Sequence, residues 1–209
     1  MEITNDSSPR AVSRTAEGRV AAGRAFAWLL VLGGGAGLIA SWGITLDKIK
    51  LLYDPNYTPG CSINSVVSCS DIMASDQASV FGFPNSMLGL VAYGIVVCVG
   101  VSLLAGGRFR RWYWLTLHAG TLFGIGFCTW LQFESLYRIN AVCLWCCLAW
   151  IATTVLFWYM TSFNFRHGVL PVPGWVKVFF SEFAWALPVL HIGIIAILIL
   201  VRWWDFWTS

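Results

Sequence analysis

Four of the seven cysteines in this chain of 209 residues are spaced for thiol chemistry. Cys143-Leu144-Trp145-Cys146 is a C-x-x-C, and on a helix a spacing of three sets both sulfurs on one face, where they can pair. Asn140 is the expected N-cap of the helix that follows, which puts Cys143 in its first turn. Unsatisfied backbone amides and the helix dipole stabilise a thiolate there, and the thiolate is the reactive form of the group. Cys61 and Cys69 make a wider pair, C-x7-C, in a polar segment rich in serine. Alone, that pair also reads as a structural staple. The four thiols together also read as an all-cysteine zinc site, but such sites tend to use two short-spaced pairs and one is present, so no metal is expected. There is no C-x-x-C-H to attach a haem covalently.

The elements that must position these thiols are set by an unusual composition. The chain is 58% hydrophobic and 11% charged, against roughly 25% charged in a soluble domain, which makes it a membrane protein. Five charge-free stretches, 25–46, 82–105, 112–133, 141–160 and 183–201, each reach the length of about 20 apolar residues that a helix needs to cross a bilayer. The expected fold class is an all-α integral membrane protein, a four-helix transmembrane bundle plus a fifth transmembrane helix. Residues 1–24 read as a cytoplasmic tail and 25–160 as the four-helix core, which includes an outer loop at 47–81. Residues 161–182 read as a cytoplasmic loop and 183–209 as the fifth helix with a short outer tail. The first apolar run exceeds the 7–15 residues of a signal peptide core, so it reads as a retained helix.

Orientation follows from the basic residues, which accumulate on cytoplasmic loops. With the amino terminus inside, nine fall on the inner side (Arg10, Arg14, Arg19, Arg24, Arg108, Arg110, Arg111, Arg166 and Lys177) and four on the outer (Lys48, Lys50, Arg138 and Arg202). The net charge of +3 is thus a topology signal rather than a nucleic-acid surface. Both cysteine pairs then face the oxidising side, where disulfides persist. Two pairs on one face suggest a relay of thiolate attack, and its electrons need an acceptor. No flavin or iron–sulfur signature is present, and a thiol pair at the rim of the apolar slab is within reach of a lipid-soluble acceptor. A quinone, menaquinone or ubiquinone, is the simplest.

Other residues have plainer roles. Most of the 13 tryptophans lie near span ends, where indoles anchor at the headgroup level. Gly33-Gly34-Gly35 and Gly37 fall mid-span and read as close helix packing. Cys98, Cys128 and Cys147 read as core packing, His118 and His191 as polar packing, and His167 as a solvated loop residue.

The loop C-x7-C is followed by Ser75, six residues beyond Cys69, then by Asn85-Ser-Met-Leu-Gly89 opening one span, then by C-x-x-C opening the last span of a four-helix core. In this order the chain resembles the vitamin K epoxide reductase family over about residues 25–160. Other quinone-linked disulfide generators place the C-x-x-C first and the wide pair second. The resemblance implies a four-helix bundle around a quinone, with Cys146 beside it and Cys143 as the partner that exchanges with the loop. It implies that Cys69 meets Cys143, that Cys61 takes electrons from a thiol donor, that Asn85 hydrogen-bonds a quinone carbonyl, and that Ser75 borders the exchange site. Trp150 stands near the quinone where vertebrate members carry a tyrosine. Many bacterial members continue into a fused thioredoxin-like domain. Here the donor is expected to be a separate thioredoxin-fold (DsbA-like) protein. The expected activity is oxidation of that periplasmic donor and reduction of a quinone. The alternatives are reduction of a quinone epoxide and a non-enzymatic membrane scaffold with a static disulfide.

Overall fold

A computed structural model describes residues 19–54 and 56–208. Most of the expected amino-terminal tail, including Arg10 and Arg14, lies outside the described residues.

Helix α1, Arg24–Tyr53, runs past the expected span end into the segment read as loop. Asp47 to Tyr53 contains neither glycine nor proline, so nothing in it breaks the helix. The stop comes at Asp54, whose backbone is extended (φ −131°, ψ 102°), as expected of a residue before proline. At 1.5 Å per residue α1 is about 45 Å long, more than the roughly 30 Å of a hydrocarbon core. The loop that follows holds a short helix, α2 (Cys69–Ala74), and a 3-10 turn, Asp76–Ser79. Helix α3 spans Asn85–Leu104, and α4 spans Arg111–Glu134, running on into a π turn at Ser135–Ile139. Helix α5 covers Leu144–Arg166. Beyond it come α6 (Gly174–Glu182), α7 (Ala186–Arg202) and α8 (Trp204–Thr208). The axes of α6 and α7 are bent by 66°.

Helix α1 packs along α3 and α5, while α4, α6 and α7 lean on α5. The mid-span glycines serve that packing. A Cβ on Gly37 would lie 2.3 Å from the Tyr93 ring, and one on Gly34 would lie 2.9 Å from Val97. The main core gathers Leu30, Val99, Trp114, Leu156, Met160 and Phe163. Trp114 is fully buried and Trp150 nearly so, unlike the exposed Trp28, Trp42, Trp112 and Trp175. Not every indole, then, is an interfacial anchor. An antiparallel pairing of Arg19–Val20 with Phe109–Arg110 was not foreseen, and it ties the end of the expected tail to the turn between α3 and α4.

Helices α1, α3 and α5 are long and apolar enough to cross a membrane, and the bent α6–α7 pair makes a fourth if counted as one span. Helix α4 is 24 residues long, but Arg111, His118, Gln132 and Glu134 dilute its apolar character. The chain is an all-helical, multi-pass membrane protein.

Candidate thiol-disulfide site

Cys61 and Cys69 are joined as a disulfide. Between them the chain turns on Asn64, whose Oδ1 accepts from the Val66 and Val67 backbone N–H groups at 2.9 and 2.7 Å. Ser68 caps α2 by accepting from the Asp71 N–H, so Cys69 sits at the first helical position. Two backbone bonds then strap this loop to the chain before α5. The Ser68 N–H donates to Val142 O at 3.0 Å, and the Val142 N–H donates to Val66 O at 2.8 Å. The strap carries Cys69 to Cys143, and their sulfurs lie 3.1 Å apart.

Asn140 is not the cap of α5. It adopts a left-handed conformation (φ 58°) that closes the π turn, and Ala141 N–H returns to Ser135 O. Val142 is held in the bridge to Val67, so the helix cannot begin before Cys143, which is itself the N-cap with extended backbone. The Cys146 thiol hydrogen-bonds the Cys143 sulfur, and the amides of Cys146 and Trp145 also point at it. Against burial and the nearby Asp47 carboxylate, these contacts hold the Cys143 thiol below the ordinary thiol range. Trp145 seats over Gly43 of α1, where a Cβ would lie 2.9 Å from the indole. Cys69 and Cys143 are fully buried, whereas Cys61 retains 8% exposure. The sulfurs of Cys61, Cys69 and Cys143 lie within 4.8 Å of one another, but two of the three are bonded to each other and are not thiolate ligands in this state.

Beyond Cys146 lies a cavity of about 540 Å³ between α3 and α4. Cys146 lines it and Cys143 does not, so the order from loop to cavity is disulfide, Cys143, Cys146. The α5 wall is the series Cys146, Ala149, Trp150, Thr153 and Leu156, spaced by three and four along one helical face. Ser75 also lines the cavity, and its hydroxyl donates to Ile72 O at 2.7 Å. Asn85 is the first residue of α3, with Pro84 at the N-cap. Its Nδ2 donates to Gln77 O at 2.7 Å, and its Oδ1 accepts from the Val80 N–H at 3.2 Å. Asn85 thus ties the 3-10 turn over the cavity end.

Four polar cavity residues escaped the sequence reading. Gln77 Nε2 donates to Glu134 Oε2 at 3.3 Å, and the Tyr93 hydroxyl lies 2.6 Å from Thr153 Oγ1. Glu134 closes an apolar run that was taken to end at Phe133, and that position was its one signal. Cys128 lines the same cavity. Cys98 is exposed on α3, against the expectation of core packing, while its neighbours Val96, Val97 and Gly100 make the contacts with α1. His167 is not merely solvated, since its ring stacks on Phe163 with centroids 4.1 Å apart. His191 accepts from Trp158 Nε1 at 3.2 Å.

A disulfide, a reduced C-x-x-C in contact with it and a cavity behind, all at one end of a membrane helix bundle, define a class: the membrane thiol-disulfide oxidoreductases. The chain belongs to the vitamin K epoxide reductase family, whose sequence profile matches residues 28–161. The match takes in the disulfide loop, the C-x-x-C and most of α5, and it ends before α6 and α7. A search of curated proteins returns no match.

Proposed function

We propose that the chain oxidises a thioredoxin-fold thiol protein and passes the electrons to a quinone held against Cys146. The observation that carries this reading is the 3.1 Å approach of Cys69 to Cys143, with Cys146 on the cavity wall behind. The cysteine end faces outward and the amino terminus inward, following the basic-residue bias. Helices α1, α3, α4 and α5 form the four-helix core, and α7 is the fifth span.

The donor's thiolate attacks Cys61, the more exposed sulfur of the loop pair. The donor closes its own disulfide and leaves Cys61 and Cys69 as thiols. Cys69 then attacks Cys143 of an oxidised Cys143–Cys146 pair, releasing Cys146 as a thiolate at the cavity. Cys61 attacks Cys69 in turn, restoring the loop disulfide and freeing Cys143. This is the redox state of the structure, with the electrons on Cys143 and Cys146. When those thiols re-form their disulfide they give up two electrons and two protons, and a bound quinone accepts both. A mostly apolar cavity with an amide and a carboxyl-amide pair at one end fits such a ring. Trp150, a turn along from Cys146, offers a flat wall and one N–H donor.

Turnover of the purified chain with a reduced thioredoxin-fold donor tests the reading. Quinone should be consumed in step with donor thiols. Consumption of a quinone epoxide alone would favour the epoxide reductase reading, and turnover of neither would favour the scaffold.

Asn85 has two amide N–H donors, one of them committed to Gln77 O. The other serves a quinone carbonyl, whose oxygen gains negative charge on reduction. A preorganised donor of this kind is worth on the order of 3 kcal/mol in measured cases. Asn85→Ala is therefore expected to slow quinone reduction by roughly tenfold to a hundredfold, about 1.4 to 2.7 kcal/mol, while the Cys61–Cys69 disulfide still forms. Asn85→Asp should be slower still, because it keeps the acceptor for Val80 but turns an acceptor toward the developing oxyanion. Near-normal quinone kinetics in Asn85→Asp would reduce Asn85 to a tie for the turn.

A further inference from the structure

Cys143 can meet Cys69 only if the segment between α4 and α5 delivers it, and that segment is irregular. It makes a π turn at Ser135–Ile139 and then turns left-handed at Asn140. Among the described residues Asn140 is the one non-glycine with positive φ, a conformation that costs an ordinary side chain on the order of 1 kcal/mol or more. Internal bonds hold part of the segment: Ser135 Oγ donates to Ala141 O, and the Val142 strap ties its end to the disulfide loop.

A further hold comes from outside the family core. Arg202 ends α7, and its Nε–H donates to Leu136 O at 3.1 Å while its Nη2 donates to Asn140 Oδ1. The first acceptor lies within the π turn and the second closes it, three residues before Cys143. A guanidinium is a rigid planar fork that can bind two acceptors in fixed geometry, which a lysine ammonium cannot copy. The same guanidinium lies 5.7 Å from the Trp203 ring centre, which limits its swing. A basic residue at a helix C-terminus is ordinary on electrostatic grounds. That account does not require both donors to reach the same five-residue segment.

We propose that Arg202 is a positioning residue for the thiol exchange: by clasping Leu136 and Asn140 it holds Cys143 against Cys69, which gives the helix beyond the family core a part in the chemistry. The inference rests on the reading that Cys69 and Cys143 exchange. The step it serves is the exchange between Cys69 and Cys143, which turnover runs toward the loop disulfide and the test below runs backward: the Cys143 thiolate forms a bond with Cys69 Sγ as the Cys61–Cys69 bond breaks. Cys61 leaves with the electron pair and takes its proton from solvent. Thiol–disulfide exchange depends on access and on which sulfur is presented, so a displaced Cys143 slows this step even though no reacting group has been removed.

The test uses the full-length protein in lipid nanodiscs, in a Cys146→Ser background where Cys146 cannot resolve the Cys69–Cys143 adduct, and with a maleimide present to cap Cys61 as it leaves, so that Cys61 cannot return to Cys69. Samples held at mildly acid pH, where thiolate is scarce, are jumped to neutral pH in the maleimide and quenched with acid, and the adduct carrying capped Cys61 is followed by mass spectrometry. Adding Arg202→Ala is expected to slow adduct formation by about tenfold to a hundredfold, the scale of a roughly 1 Å misplacement. Arg202→Lys should fall between Arg202→Ala and the parent. Asn140→Gly keeps the left-handed backbone at no steric cost but deletes the clasped amide, so it should slow the step as well. The Arg202→Ala/Asn140→Gly pair should be no slower than Arg202→Ala alone, since residues acting through one contact are not additive. A rate within about twofold of the parent in Arg202→Ala, or effects that multiply in the pair, overturns the inference. Absence of the adduct in the Cys146→Ser parent instead sinks the exchange reading itself, which separates the two failures.

Discussion

Cys146→Ser is expected to abolish quinone reduction, by roughly a thousandfold or more, and to let a Cys69–Cys143 disulfide accumulate once the released Cys61 is capped by alkylation. Both outcomes follow from the order of sulfurs. Cys146 is the thiol on the cavity wall, and serine cannot be oxidised in its place. Cys143 then has lost its partner in the inner pair but remains 3.1 Å from Cys69, and with Cys61 capped nothing reverses their bond. Its amide contacts from Trp145 survive the change, so its thiol stays biased toward the thiolate, although the loss of the Cys146 thiol contact weakens that bias. Peptide mapping without reduction reads the result directly. Substantial residual turnover, or an intact Cys61–Cys69 disulfide beside a permanently free Cys143, would reverse the assigned roles of the inner pair.

The parts of this arrangement that were legible in sequence are those decided locally. Apolar runs announced the long helices, and the spacing of three announced two thiols close enough to pair, although Cys143 stands at the N-cap and only Cys146 within the helix. The mid-span glycines announced close packing, and Gly34 and Gly37 deliver it against α3. The N-terminus of α5 was misjudged because a distant segment decides it. Asn140 is a good cap by residue type, but the bridge from Val67 to Val142 and the clasp from Arg202 claim the residues on which a cap at Asn140 would depend. A pattern of residue types cannot show a strap between positions 67 and 142. The same holds for the polar end of the cavity, where Asn85, Gln77 and Glu134 come from three separate elements. Asn85 had a sequence signal through the family resemblance, and Glu134 had only its place at the end of an apolar run. The tail pairing of Arg19–Val20 was hidden for a similar reason, since two residues are too few to announce a strand.

Cys61→Ala is expected to separate the two ends of the relay. With a thioredoxin-fold donor, turnover should fall by roughly a hundredfold or more, because the sulfur the donor attacks is gone. Cys69, the remaining loop sulfur, is fully buried beneath Met73 and beside Cys143 and offers a protein nothing to reach. A small dithiol is a different case. Cys143 is shielded by Cys69, but Cys146 borders a cavity that a small molecule can enter, so an oxidised Cys143–Cys146 pair remains open to attack at that sulfur. Turnover driven by a small dithiol should therefore fall by no more than about tenfold, the cost of a less direct route. The two donors are compared at one sub-saturating quinone concentration, so that the cavity stays open to the dithiol and the inner step is common to both. Equal losses with both donors would mean that Cys61 acts inside the relay rather than at its entrance. Equal retention with both would return the Cys61–Cys69 bond to the static staple that its spacing alone had allowed.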